Sequence, residues 1–377
     1  MSRTVCLAAN TLSYPNGGGY RWIYLNWALG LRALGYRVIW LEGADTRAPV
    51  RTVRERLGTL RTHLQPYDLA DSVALCSWSD QPLVSEVLDG CLDVETAAAE
   101  AELLVNMQYS TRPEVVERFR RTALIDIDPG LLQLWMGTGA LRVAPHDAYF
   151  TIGESLGEPG SRCSDAGVTW QRAAPCVALD WWPMCPTPEN APYTTLAHWS
   201  GGWTEFDGEV YPDDKRTAFH PYFDLPCHTS QRLELALSLA PSEDDERRLL
   251  EQHGWSVRDA YAVSSTPWDY EHYVRQSAGE FSCAKPSYVR MQTAWISDRT
   301  VCYLASGKPA IVQHTGPSRY LPDMAGIFRF RDLEEAACCL ETAAADYERQ
   351  RKLARTLAEE YFDARTVVGS VLERALA

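Results

Sequence analysis

No run of about 18 apolar residues occurs in this 377-residue sequence, which excludes a membrane-spanning helix. There is no excess of basic residues: the net charge is −14, so no cationic field exists to hold a nucleic-acid backbone. The G-x-G-x-x-G dinucleotide fingerprint is missing, and Asn16–Gly19 offers only a run of three glycines. The 11 cysteines include no C-x-x-C pair, and the spacing of His220, Cys227 and His228 fits no zinc pattern. Internal repeats and low-complexity tracts are absent too. The first apolar run, Val5–Ala9, is too short for a signal peptide and reads as a buried strand. Scattered free thiols point to a reducing cytoplasm.

What remains is an ordinary globular composition, 46% hydrophobic and 23% charged, with 13 tryptophans. Tryptophan stacks on sugar rings as well as filling cores, so carbohydrate chemistry gains weight. The length calls for two domains. In the first half strands alternate with helices: Thr4–Ala9, a helix over Tyr20–Leu34, Arg37–Leu41, then strands at Leu103–Asn106, Ala123–Ile127 and Ala148–Ile152. Leu64–Ser85 resists assignment. Prolines 183, 186, 188 and 192 mark a linker near Trp182–Tyr193. A second series then starts at Thr194–Trp199 and continues through Leu233–Leu239 and Glu280–Cys283, with Gly201–Ser230 as a turn-rich insertion. The expected fold is α/β: two doubly wound, Rossmann-like parallel-sheet domains facing a central cleft. They span 1–185 and 186–355, and a C-terminal helix, 356–377, is free to cross back to the first.

Thr293–Gly316, TAWISDRTVCYLASGKPAIVQHTG, is the most informative segment. Trp295, Ile296, Val301, Cys302, Leu304 and Ala305 give an apolar helical face, Gly307 stops the helix, and Pro309–Val312 reads as a buried strand. The helix opens on Ser297, Asp298 and Arg299. An N-terminus with free N–H groups beside a cation is a site for a diphosphate. Lys285, just past the Glu280–Cys283 strand, is placed to join it. Ser200, Gly201 and Gly202 end the first strand of the second half, where backbone N–H groups can touch a phosphate. Ser264 and Ser265 precede a capped helix start, Thr266–Pro267, on the same side. On the first half Asn16, Gly17, Gly18 and Gly19 let backbone approach an acceptor closely. Asp128 and Glu154 follow strands there, and either can serve as a general base; Glu42 is a third acid at a strand end. Asp126–Ile127–Asp128 has the D-x-D form of a metal-bound nucleotide sugar, but Asp128–Pro129–Gly130 reads as a helix cap, and no metal site is assigned. His198 reads as a supporting residue.

The Ser297–Arg299 start leading into YLASGKPAIVQ (Tyr303–Gln313) resembles the nucleotide-sugar helix and strand of the GT-B glycosyltransferases. There an apolar-Ala-x-Gly-x-Pro run ends the helix. Asp346–Ala364, DYERQRKLARTLAEEYFDA, is similar to the closing helices of that class, and Gly30–Glu42 to its first βαβ unit. Within the class the chain looks most like a little-described bacterial branch of small-molecule-tailoring enzymes. The retaining members carry glutamates where this sequence has Cys302 and Ala294; Asp298, one turn before Cys302, is then the residue to take the ribose hydroxyls.

The resemblance implies a metal-independent transferase without a cofactor, acting as monomer or homodimer. Its donor, a sugar on UDP, GDP or dTDP, would lie on the second domain. A small-molecule acceptor of natural-product (antibiotic) biosynthesis would lie on the first. Two rivals share the architecture: a nucleotide-sugar epimerase, which needs no acceptor, and a binding protein without turnover.

Overall fold

The computed structural model describes residues 3–377. In the first half β1 (Thr4–Ala9), β2 (Arg37–Ala44), β3 (Val73–Ser77), β4 (Leu92–Asp93), β5 (Leu103–Asn106), β6 (Thr122–Asp126), β7 (Ala148–Thr151) and β8 (Gln171–Arg172) form one sheet. Its order is β4-β3-β2-β1-β5-β6-β7-β8, with every pairing parallel. Because helices cover both faces, β1 is buried at all its residues and reads as a continuous apolar run. The region left unassigned from sequence holds β3, whose VALCS run lies among short 3-10 turns.

The second half begins with β9 (Tyr193–His198) and an antiparallel hairpin of β10 (Gly202–Phe206) and β11 (Glu209–Asp213). It continues with β12 (Leu233–Ser238), β13 (Ser256–Asp259), β14 (Gly279–Ser282), β15 (Ala310–Gln313) and β16 (Ile327–Phe330). The six-stranded order is β13-β12-β9-β14-β15-β16, again parallel. The turn-rich insertion is thus a hairpin followed by short helical turns. The helix ahead of β15 is Asp298–Ala305; Trp295 and Ile296, expected on its face, precede its Ser297 cap, because Ala294 has a left-handed backbone (φ 57°).

The halves meet through shared core. Trp22 of the Gly18–Ala33 helix packs edge-on against Trp182 of the linker at 4.7 Å, and its indole N–H donates to the Pro267 carbonyl at 2.8 Å. Trp182 also meets Tyr270 of the Pro267–Gln276 helix. The last helix, Ala364–Leu376, lies on the first half. Gly30 admits it, since a Cβ there would sit 2.9 Å from the Ala364 carbonyl oxygen. Among the described residues no helix is long and apolar enough to cross a membrane, and all 11 cysteines are free.

Candidate active site

Strand order in the second sheet reverses between β9 and β14, and ligands of doubly wound sheets bind beyond the carboxyl ends of the strands at such a reversal. Arg299 spans this point. Its Nε donates to Glu280 Oε1 at 2.8 Å, one Nη to the Leu196 carbonyl at 2.7 Å, and the other to Ser282 Oγ at 2.6 Å. The guanidinium therefore docks the start of the Asp298–Ala305 helix onto the ends of β9 and β14. Ser297 caps that helix by accepting from the Arg299 N–H at 3.2 Å.

Two lysines flank the end of β14. Lys215, on the short helix after the hairpin, donates to the Cys283 carbonyl. Burial pulls its ammonium down to about 7, and repulsion from Arg299 and Lys285 contributes. Lys285 precedes the Pro286–Met291 helix, and its ammonium has no hydrogen-bond or ion-pair partner among the described residues. Three cations thus gather at one strand end, where the sequence suggested Lys285 and Arg299. Lys215 was missed because its only signal, an Asp214 cap, lies in the turn-rich insertion. Beside them Ser282, Trp295, Ser297, Thr300 and Gln313 line a cavity of about 20 Å³. That is room for roughly one water.

Asp298 is 9% exposed, and no other side chain bonds its carboxyl among the described residues. Burial pushes it up to about 7, and the charge of Asp128, reaching across from the first half, adds to the shift. Asp128 follows β6. It accepts from Tyr109 at 3.1 Å and from Tyr288, on the opposite half, at 2.7 Å. Neither tyrosine has a sequence signal: Tyr109 meets Asp128 through the packing of the first half, and Tyr288 through the docking of the two halves. Asp126 of the D-x-D triplet is inaccessible and accepts from Gln133, Thr151 and the Asp128 N–H. Burial raises it to about 7. Among the described residues no group of three or more His, Cys, Asp or Glu side chains is placed to hold a metal ion.

Glu154 is fully engaged elsewhere: its carboxylate accepts from Ser318 Oγ at 2.8 Å and from the Arg319 N–H at 2.9 Å. Glu42 is buried beneath the β1 loop, accepting from Thr11, Leu12 and Trp40. The glycine loop meets the second half directly. A Cβ on Gly18 would lie 2.0 Å from the Thr266 carbonyl oxygen and 2.5 Å from that of Ser264, and one on Gly19 would strike the Tyr270 ring. The structure thus brings Gly18 and Gly19 together with Ser264 and Thr266 as a packed interface. Asn16 is exposed beside it, and Gly17 approaches Tyr14 and Tyr20 of its own segment. Ser265 Oγ points to Asp269 at 3.4 Å, within the helix cap. Ser200 leads from β9 to the hairpin; Gly201 backs onto Asp214, next to Lys215, and Gly202 faces open space. His198 is exposed at the end of β9.

No protein-family model matches the chain, and no curated protein matches it. Solved structures do. HepE of Anabaena in complex with UDP and glucose is 13% identical, with 99% of each chain covered and a TM-score of 0.55. An α-glucosyltransferase, AGT, in complex with UDP is 12% identical over 100% of both chains, at a TM-score of 0.61. The same kind of enzyme with UDP-glucose and DNA containing an abasic site reaches 0.62 at 11% identity. The architecture is GT-B. At these identities the likeness is one of fold, and it extends over the whole chain. Asp128 follows a strand of the first sheet, the Lys215, Lys285 and Arg299 group lies at the strand reversal of the second, and Tyr288 joins the second half to Asp128.

Proposed function

We propose that the protein is a cytoplasmic glycosyltransferase that moves a sugar from a nucleoside-diphosphate sugar to a small-molecule acceptor in natural-product biosynthesis. One observation carries this reading above the others. Lys215, Lys285 and the capped Asp298–Ala305 helix converge at the strand reversal of the second sheet. A diphosphate leaving group needs fixed positive charge and aligned N–H groups there. The full-length fold neighbours support it, since HepE and the α-glucosyltransferase were solved with UDP or UDP-glucose, and UDP is the first nucleotide to try.

In this reading the two lysines and the helix start neutralise the departing diphosphate without a metal ion. Ser200–Gly202 supplies open backbone beside Lys215. Arg299, occupied by Glu280, Leu196 and Ser282, shapes the site and adds to its field. Asp128 is the favoured base, because it is the first-half acid whose charge reaches Asp298 at the start of the donor-side helix. The acceptor hydroxyl gives its proton to Asp128 as its oxygen attacks the sugar carbon, and the bond to the diphosphate oxygen breaks.

The test follows release of nucleoside diphosphate from UDP-, GDP- and dTDP-sugars against a panel of small-molecule acceptors. Acceptor-dependent release supports the reading. Conversion of the sugar without any acceptor would instead indicate an epimerase, and binding without turnover a non-catalytic protein. Asp128→Asn is expected to lose at least about 100-fold in rate, the usual share of a general base, while Glu154→Gln retains most activity. Full activity in Asp128→Asn would point to a retaining route in which the leaving phosphate takes the proton.

A further inference from the structure

Tyr288 belongs to the donor-side half yet donates to Asp128 of the acceptor-side half at 2.7 Å. Its ring stacks on Trp295 with centroids 4.1 Å apart and planes 8° from parallel, and Trp295 lines the small donor-side cavity. Its short helix, Pro286–Met291, is wedged into the first half. A Cβ on Gly130 would lie 2.5 Å from Met291 Sδ, and Cys163 Sγ reaches the Met291 carbonyl at 3.7 Å. The helix is pinned to its own half where the Ser287 N–H donates to Asp213 at 2.8 Å. One rigid aromatic pair therefore connects the donor cavity to the acid on the opposite wall.

We infer that Tyr288 is a positioning residue that aligns Asp128 when the two halves meet, so that the donor-side half sets the base in place. The inference rests on the reading of Asp128 as the base. Tyr109 reaches the carboxylate from Asp128's own half, whereas Tyr288 supplies the second bond from the opposite half and so depends on the halves meeting. Such an arrangement limits loss of donor to water before an acceptor is enclosed.

The experiment compares wild type, Tyr288→Phe, Tyr109→Phe and Asp128→Asn, with UDP affinity measured by calorimetry and turnover of the best donor and acceptor across pH. Tyr288→Phe keeps the stack on Trp295 and removes only the hydroxyl. The expected result is about a tenfold or greater fall in kcat, the scale of one charge-assisted hydrogen bond, with UDP affinity within about twofold of wild type. The acid limb of its rate profile moves to higher pH, because a donor to the carboxylate is lost. Wild-type kcat and an unmoved acid limb in Tyr288→Phe, with Asp128→Asn inactive, would overturn the role of Tyr288 alone. Undiminished turnover in Asp128→Asn, or no turnover by wild type with any donor, would overturn the reading beneath it.

Discussion

Lys215 is a lysine whose charge is held in reserve. Buried beside Arg299 and Lys285, its ammonium titrates near 7, against about 10.4 for a free lysine. A diphosphate bound there favours the charged form, so below about pH 7 the cation is ready and above it a proton must be taken up on binding. UDP affinity is therefore expected to fall as pH rises from about 7 toward 9, with calorimetric heats that depend on the buffer's ionisation enthalpy. Lys215→Ala should weaken UDP by about tenfold and abolish the proton uptake; a pH-independent affinity in wild type would remove Lys215 from the site. Asp298 has the opposite sign. Its folded value of about 7 lies above the ordinary carboxylate range, so the native state binds more protons than the unfolded chain between about pH 4 and 7. The stability this residue permits is fully present below that window and is lost as pH rises through it. Asp298→Asn should raise the melting temperature at pH 8 and change it little at pH 4, by roughly 1–2 °C per kcal/mol gained in a chain of this length. An equal effect at both pH values would contradict the burial argument.

At the level of elements, the glycine loop and the Thr266 cap form one joint. Gly18→Ala places a methyl group against two carbonyl oxygens of the opposite half, and backbone cannot yield as a side-chain tip does. Differential scanning should show a loss of about 1–3 kcal/mol, the cost of overpacking. Gly58→Ala, inside the Val50–Leu64 helix with nothing within 4 Å, should instead stabilise by up to about 1 kcal/mol. Similar effects of the two substitutions would deny the joint. These elements also show what local sequence carries. β1, β5 and the Pro267–Gln276 helix were legible because apolar runs, a hydroxyl cap and an early proline are local signals. β13, a mostly exposed edge strand reading SVRD, and β8, two residues long, had no pattern to read. Ser297–Arg299 was legible as a helix start, yet the role of Arg299 in joining three strand-end groups was not, since those partners lie up to 103 residues away. Asn16–Gly19 showed the need for close backbone approach, but not that the approaching group is Thr266 of the same chain.

Across the whole molecule the two halves are in direct contact. The cavity at the strand reversal, about 20 Å³, is far smaller than the roughly 300–1,000 Å³ of small-molecule sites. The halves are held by Trp22 on Pro267, Tyr288 on Asp128, and Glu154 on Ser318 and Arg319. In the proposed function, a donor entering at this cavity would require these contacts to part. Small-angle scattering of the unliganded protein should give a radius of gyration above that of this closed form, and a bound nucleotide should reduce it. An unchanged radius would mean that the halves do not open. The measurement that bears most directly on the central claim is calorimetric titration of the purified protein with UDP, GDP and dTDP, with and without magnesium. Tight binding of one diphosphate, UDP first among them, independent of magnesium and accompanied by proton uptake above about pH 7, is the expected result. Binding of none would mean that Lys215, Lys285 and the Asp298 helix only hold the fold together.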